Sequence, residues 1–110
     1  TEFEMAYAEA EALALAEDYP GAIDAYTAAI DLDPDQSSAY LGRAQATLGQ
    51  VYLEQGDAIQ GPEDIPQAAR ESVIADFEQA ATLFEASGST DWAESLRGQI
   101  DVLREAGSSN

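Results

Sequence analysis

An all-α fold of antiparallel helix-turn-helix units, about five helices in all, is predicted by three features of this 110-residue chain. Apolar residues recur at three-and-four spacing in five separate segments. Alanine dominates a hydrophobic fraction of 45%, which favours closely packed helices over sheet. Proline or glycine stands near the end of most periodic runs. The run over residues 17–34, EDYPGAIDAYTAAIDLDP, is the most informative. It reads as the second half of one helical hairpin, with Ala22, Tyr26 and Ala29 at helical steps and Pro34 as the stop. Such a unit cannot bury its apolar stripe alone and needs stacked neighbours. The length suits one domain with a continuous core.

Taken in order, the first helix is expected over residues 2–17, with Phe3, Ala6, Ala10 and Leu13 on one face and Glu4 and Glu11 on the other. Tyr19-Pro20 starts the second, because proline fits the first helical turn, where no N–H is needed. Its stripe is Ala22, Ile23, Tyr26, Ala29 and Ile30. After the turn DQSS, a third helix over residues 38–55 points Tyr40, Ala44, Leu48, Val51 and Tyr52 inward, with Gly56 as a left-handed C-cap. Residues 57–66, carrying two prolines, read as a loop in which Asp64 caps the next helix. The fourth helix, residues 66–86, carries Ala69, Val73, Phe77, Ala80 and Phe84, and Gly88 ends it. The last, residues 91–106, sets Trp92, Leu96, Ile100 and Leu103 on one face, with Asp91 and Glu94 at capping-box spacing and Gly107 as its stop; the SSN tail is expected to fray.

Charge excludes several function classes. The chain has 22 acidic residues against 4 basic ones, no histidine and a formal net charge of −18. All four cations are arginines: Arg43, Arg70, Arg97 and Arg104. A surface of that sign repels nucleic acid and anionic membranes and offers no basic cluster to offset the repulsion. It reads as a solvated, soluble surface or as one matched to a basic partner. No apolar run approaches the roughly 20 residues of a membrane span, so no membrane insertion is expected. There is no cysteine, hence no disulfide framework or thiolate site. The cytoplasm is the default compartment, and a chain beginning at Thr1 leaves an exported or lumenal origin with a trimmed N-terminus open.

Little in the sequence supports catalysis. The usual nucleophile and base pairs draw on Cys, His or Lys, and none is present. Neither cofactor nor metal is expected. The run Asp31-Leu32-Asp33-Pro34-Asp35 resembles the start of a calcium loop, but Gln36 stands where the sharp-turn glycine belongs and Gly42 where the bidentate glutamate belongs. A helix-ending turn is the better reading.

The spacing of Ala10, Leu13, Tyr19, Ala22, Tyr26, Ala29 and Pro34 resembles the tetratricopeptide repeat, and Leu48, Gly49, Tyr52, Gly56 and Asp57 are similar to that family's Leu-Gly, aromatic and Gly-Asp sequence. The resemblance implies one unit over residues 3–34, a second over residues 38–86 lengthened by the loop 57–66, and a capping helix over residues 91–106. Tyr52 and Phe77 lie further along than a strict repeat places them. Ala86-Ser87-Gly88 replaces the second closing proline.

In that family the first helix of each unit lines a concave groove that holds a partner peptide or protein. The resemblance therefore implies a non-catalytic protein-protein interaction scaffold. Its groove would be lined by Glu4, Tyr7, Glu11 and Ala14, then Arg43, Ala46, Gln50 and Leu53, then Glu94, Arg97, Asp101 and Arg104. Within this face Tyr7 is the candidate aromatic anchor. Arg43, Arg97 and Arg104 either clasp a carboxylate or pair with nearby acids such as Asp101 or Glu94. A chaperone-docking clamp is not expected, since it requires lysines and asparagines and the chain has only Asn110. The alternatives are a self-associating structural domain, forming a homodimer over an apolar end face, and a generic helical bundle with an enzymatic or carrier role.

Overall fold

The computed structural model describes residues 1–108, so Ser109 and Asn110 of the tail lie outside the described residues. It contains five α-helices and no strand among those residues. They are α1 (Glu2–Leu15), α2 (Tyr19–Leu32), α3 (Ser37–Gln55), α4 (Gln67–Ala86) and α5 (Thr90–Ser108), and short 3-10 turns at Gly56–Ala58 and Pro62–Asp64 shape the connection between α3 and α4. Each helix packs chiefly on its neighbour in sequence. Short turns join α1 to α2, α2 to α3 and α4 to α5, so these packed neighbours form helical hairpins. A thickness of 18 Å leaves room for two layers of helices. No described helix is long and apolar enough to cross a membrane.

Local chemistry accounts for the helix ends. Thr1 and Glu4 form a capping box at the start of α1. Asp18 accepts from the Gly21 amide, and Pro20 occupies the first turn of α2. Two helices stop in the same way. The Asp18 N–H donates to the Leu13 carbonyl and the Glu17 N–H to that of Ala14, while the Ser89 N–H donates to Phe84 and the Gly88 N–H to Glu85. This double closure needs one left-handed residue. Gly88 supplies it at φ 88° after α4, but after α1 the position is held by Glu17 at φ 61°. That explains why α1 stops at Leu15, short of the expected residue 17.

Other expected stops differ from the structure. Gly56 is right-handed helical (φ −51°, ψ −41°) and leads into a 3-10 turn. Gly107 lies inside α5, which runs to Ser108 and begins at Thr90, ahead of the expected Asp91–Glu94 capping box. Asp64 does not cap α4, whose N-cap is Pro66 without a side-chain bond; its carboxylate accepts from the Gln60 amide and closes the loop on itself.

Two apolar clusters form the interior. The larger runs through α2, α3, α4 and α5 and includes Ile30, Tyr40, Val73, Phe77, Leu96 and Ile100. The smaller, Ala10, Ala22, Tyr26 and Ala46, fills the junction of α1, α2 and α3, and Tyr7 packs against both. The second cluster depends on a close approach of α2 to α3. A Cβ on Gly42 would stand 2.4 Å from the Tyr26 ring, and one on Gly49 would stand 2.5 Å from the Tyr19 ring. The two tyrosines are seven residues apart, as are the two glycines, and they pair in antiparallel order. Each ring thus lies across a step where the partner helix has only backbone. Two residues expected inward are not: Tyr52 and Trp92 are 51% and 64% exposed.

The left-handed residues provide a stability test. Glu17→Gly removes a left-handed strain of about 1 kcal/mol and raises the urea midpoint. Gly88→Ala lowers stability by about 1 kcal/mol, since no atom lies within 4 Å of the new Cβ and only the backbone angle is at issue.

Candidate binding surface

The exposed face of α3 borders two clefts. Gln45, Leu48 and Tyr52 recur at helical spacing and share that face. Toward α1, Gln45 and Ala46 meet Glu11, Ala14 and Leu15 around a cleft of about 370 Å³. Toward α5, Leu48 and Tyr52 face Gln99 and Val102 across a groove of about 330 Å³, closed at one side by Ile59 and Pro62. Tyr52 and Val102 are each about half exposed, so apolar surface stands open on both walls.

The loop that closes this groove is fixed by its own contacts. Ile65 is buried in the main cluster. The Arg70 Nη1 donates to the carbonyls of Ile65 (2.8 Å) and Pro62 (3.4 Å), and Asp64 accepts from the Gln60 amide. A connection longer than most in compact domains is thereby turned into a wall. It is also acidic: Glu54, Asp57, Glu63 and Asp64 are all exposed in or beside it. Apolar walls and a negative rim suit a partner with an apolar anchor and flanking cations.

The residues expected to form the groove are distributed as follows. Glu11, Ala14 and Ala46 come together in the α1–α3 cleft. Tyr7 is half-buried, stacked on Phe3 (5.8 Å between centroids) and edge-on to Tyr26 (5.6 Å), and so joins the two interior clusters. Gln50 is half-buried, Leu53 exposed, and Glu4 engaged with Thr1 at the start of α1. Burial, with the nearby Tyr7 and Glu11, holds the Tyr26 hydroxyl above its ordinary pKa.

The three arginines are not brought to one groove. Arg43 turns toward α2 and α4, where its Nε and Nη2 donate to the two oxygens of Asp76 (3.1 and 2.7 Å) and its Nη1 to the Thr27 hydroxyl (3.2 Å). The Asp76 hydrogen bond, working against burial, raises the Arg43 pKa. Arg104 donates to Glu78 (2.8 Å) and Arg97 to Glu85. These two pairs repeat at seven residues on both α4 and α5 and cross-link their exposed sides. Asp101 and Glu94 are exposed and are not the partners.

Sequence reasoning missed the groove wall Leu48–Tyr52 and Gln99–Val102, and the buried charges Arg70 and Asp76. The run Val51-Tyr52-Leu53 is apolar throughout, and periodicity cannot say which member faces the core. Asp76 sits beside Phe77 within the apolar stripe of α4, and its partner is remote in sequence. Near Pro34, Asp33 accepts from the Asp35 amide and the Gln36 side chain, as in a helix-ending turn. Among the described residues no group of three or more acidic side chains is arranged to hold a metal ion. No protein-family model matches the chain, and no curated protein or solved structure matches it.

The Arg43–Asp76 pair ties α3 to α4 within the second hairpin, with the Arg43–Thr27 bond reaching α2 of the first, and Asp76 is only 5% exposed. Arg43→Met leaves that carboxylate uncompensated and costs about 2–3 kcal/mol, whereas Arg43→Met with Asp76→Leu recovers most of the loss. Urea unfolding of the wild type, the single variant and the double variant measures both.

Proposed function

We propose that this chain is a non-catalytic scaffold, a short and divergent relative of the tetratricopeptide proteins, that docks a peptide of a partner protein in the groove between α3 and α5. The single observation that carries this reading is the open apolar surface of Tyr52 and Val102, set opposite each other over half-buried Leu48 and bounded by a fixed acidic loop. The family resemblance is supported by the packing of each helix chiefly on its neighbour in sequence and by the glycine steps under Tyr19 and Tyr26. The bound segment carries one bulky apolar side chain that covers Tyr52 and Val102, with lysine or arginine on either side. Burying such an anchor gains on the order of 1.5–3 kcal/mol. The flanking charges favour encounter with a protein of net charge −18.

Self-association is the second reading, favoured by Met5 and Leu15 of α1, which are 74% and 87% exposed.

Peptide display against the folded chain tests the assignment. Selected peptides carry an aromatic or leucine anchor with basic neighbours. Tyr52→Ala with Val102→Ser weakens their binding at least about tenfold, equal to about 1.4 kcal/mol, while Arg97→Ala with Arg104→Ala leaves it unchanged. Added salt weakens binding further. Binders indifferent to the groove substitutions contradict the reading. Sedimentation showing a stable dimer that Met5→Ser with Leu15→Ser dissociates favours self-association instead.

A further inference from the structure

We propose that the cavity between the end of α5 and the start of α4 is a carboxylate-binding site built on Arg70, on the far side of the loop wall from the peptide groove. The cavity measures about 460 Å³, and its lining includes Arg70, Glu71, Ile74, Arg104 and Gly107. Three observations point to a ligand.

Arg70 is only 6% exposed, yet among the described residues no carboxylate lies within ion-pair distance of it. Arg43, Arg97 and Arg104 each have one. A guanidinium in that setting is mostly enclosed by protein, keeps only the edge at the cavity open and has gained no counter-charge, so a bound anion there is favoured.

Only one corner of the group is used. Nη1 donates to the carbonyls of Ile65 and Pro62. The opposite edge, Nε and Nη2, faces Gly107, where a Cβ would stand 3.3 Å from Nε and 3.5 Å from Nη2. The absent side chain leaves that edge open to the cavity. Among the described residues no buried side-chain nitrogen lacks a hydrogen-bond partner, so the unpaired Nε and Nη2 edge is accessible to what enters the cavity. Two parallel N–H donors form the fork that matches the two oxygens of a carboxylate.

The acids that line the cavity are engaged elsewhere. Glu71 accepts from the Gln67 side chain (3.0 Å) and Glu78 from Arg104 (2.8 Å). Neither fills the Arg70 fork, and the charges of Arg104 and Glu78 in the wall offset each other. The strongly negative chain disfavours polyanions, so the site takes a single carboxylate, from a glutamate or aspartate side chain or from a peptide C-terminus.

The test follows the Nε–H resonances of the four arginines by ¹⁵N NMR in the full chain during titration with sodium acetate, at ionic strength held constant with sodium chloride. One signal, assigned to Arg70 by through-bond connectivity, moves saturably, and the other three stay in place. Gly107→Ala fills the gap and weakens the response at least about tenfold, equal to about 1.4 kcal/mol. Arg70→Lys keeps the charge, loses the fork and abolishes the saturable shift that the Gly107 backbone amide beside the fork shows in the wild type; should that variant not fold, Gly107→Ala carries the test. N-acetylglutamate α-amide and N-acetylalanine then distinguish a side-chain source from a terminal one by which binds more tightly. The proposal is overturned if the Arg70 signal shows no saturable shift, if all four signals move together, or if Gly107→Ala responds as the wild type does. Inorganic phosphate binding more tightly than acetate overturns the choice of carboxylate.

Discussion

Two helices approach only as closely as the bulk at their contact allows, and in this protein the contact between α2 and α3 is set by aromatic rings lying on glycines. Tyr26 occupies the space a side chain on Gly42 would need, and Tyr19 does the same at Gly49. With two such steps seven residues apart, sliding one helix along the other drives a ring into a side chain. The contact therefore fixes register as well as distance. Through it the first hairpin meets the second, Ala46 closes the small cluster around Tyr26, and the exposed face of α3 is presented to clefts on both sides.

Polar contacts hold what this packing sets. The Arg43–Asp76 pair with Thr27 spans α2, α3 and α4, and its bidentate geometry offsets the cost of burying the Asp76 carboxylate. The Arg97–Glu85 and Arg104–Glu78 pairs lie at half-exposed positions, where each contributes less than about 1 kcal/mol; they set the register of α5 on α4 more than they strengthen it. Of the four side-chain cations in a chain of net charge −18, Arg43, Arg97 and Arg104 are committed to ion pairs within the protein, while Arg70 uses only its Nη1, on two loop carbonyls. The outward surface is left to acids, and the α3–α5 groove opens within it.

The all-α class, the five helices and most of the core were legible because apolar residues at helical spacing leave one strong periodic signal. Val73, Phe77 and Ala80 of α4 and Leu96, Ile100 and Leu103 of α5 lie buried where their spacing put them. Helix ends were less legible, because a left-handed stop normally announces itself as glycine and here Glu17 takes that part, while Gly56 and Gly107 adopt other geometry. The candidate surface was only partly legible. Glu11, Ala14 and Ala46 do share a cleft, but the direction of each arginine was decided by acids on another helix. Arg43 and Asp76 are 33 residues apart, and no local pattern links them.

A double-mutant cycle at the α2–α3 contact tests the central claim most directly. In the wild-type background Gly42→Ala forces a Cβ against the Tyr26 ring and lowers unfolding stability by about 2 kcal/mol, within the usual range for overpacking. In a Tyr26→Leu background the ring is gone, and Gly42→Ala is close to neutral or stabilising through helix propensity, giving a coupling energy above about 1 kcal/mol. Equal costs in the two backgrounds would contradict the account, because they would mean that Tyr26 and Gly42 do not set the distance between the hairpins.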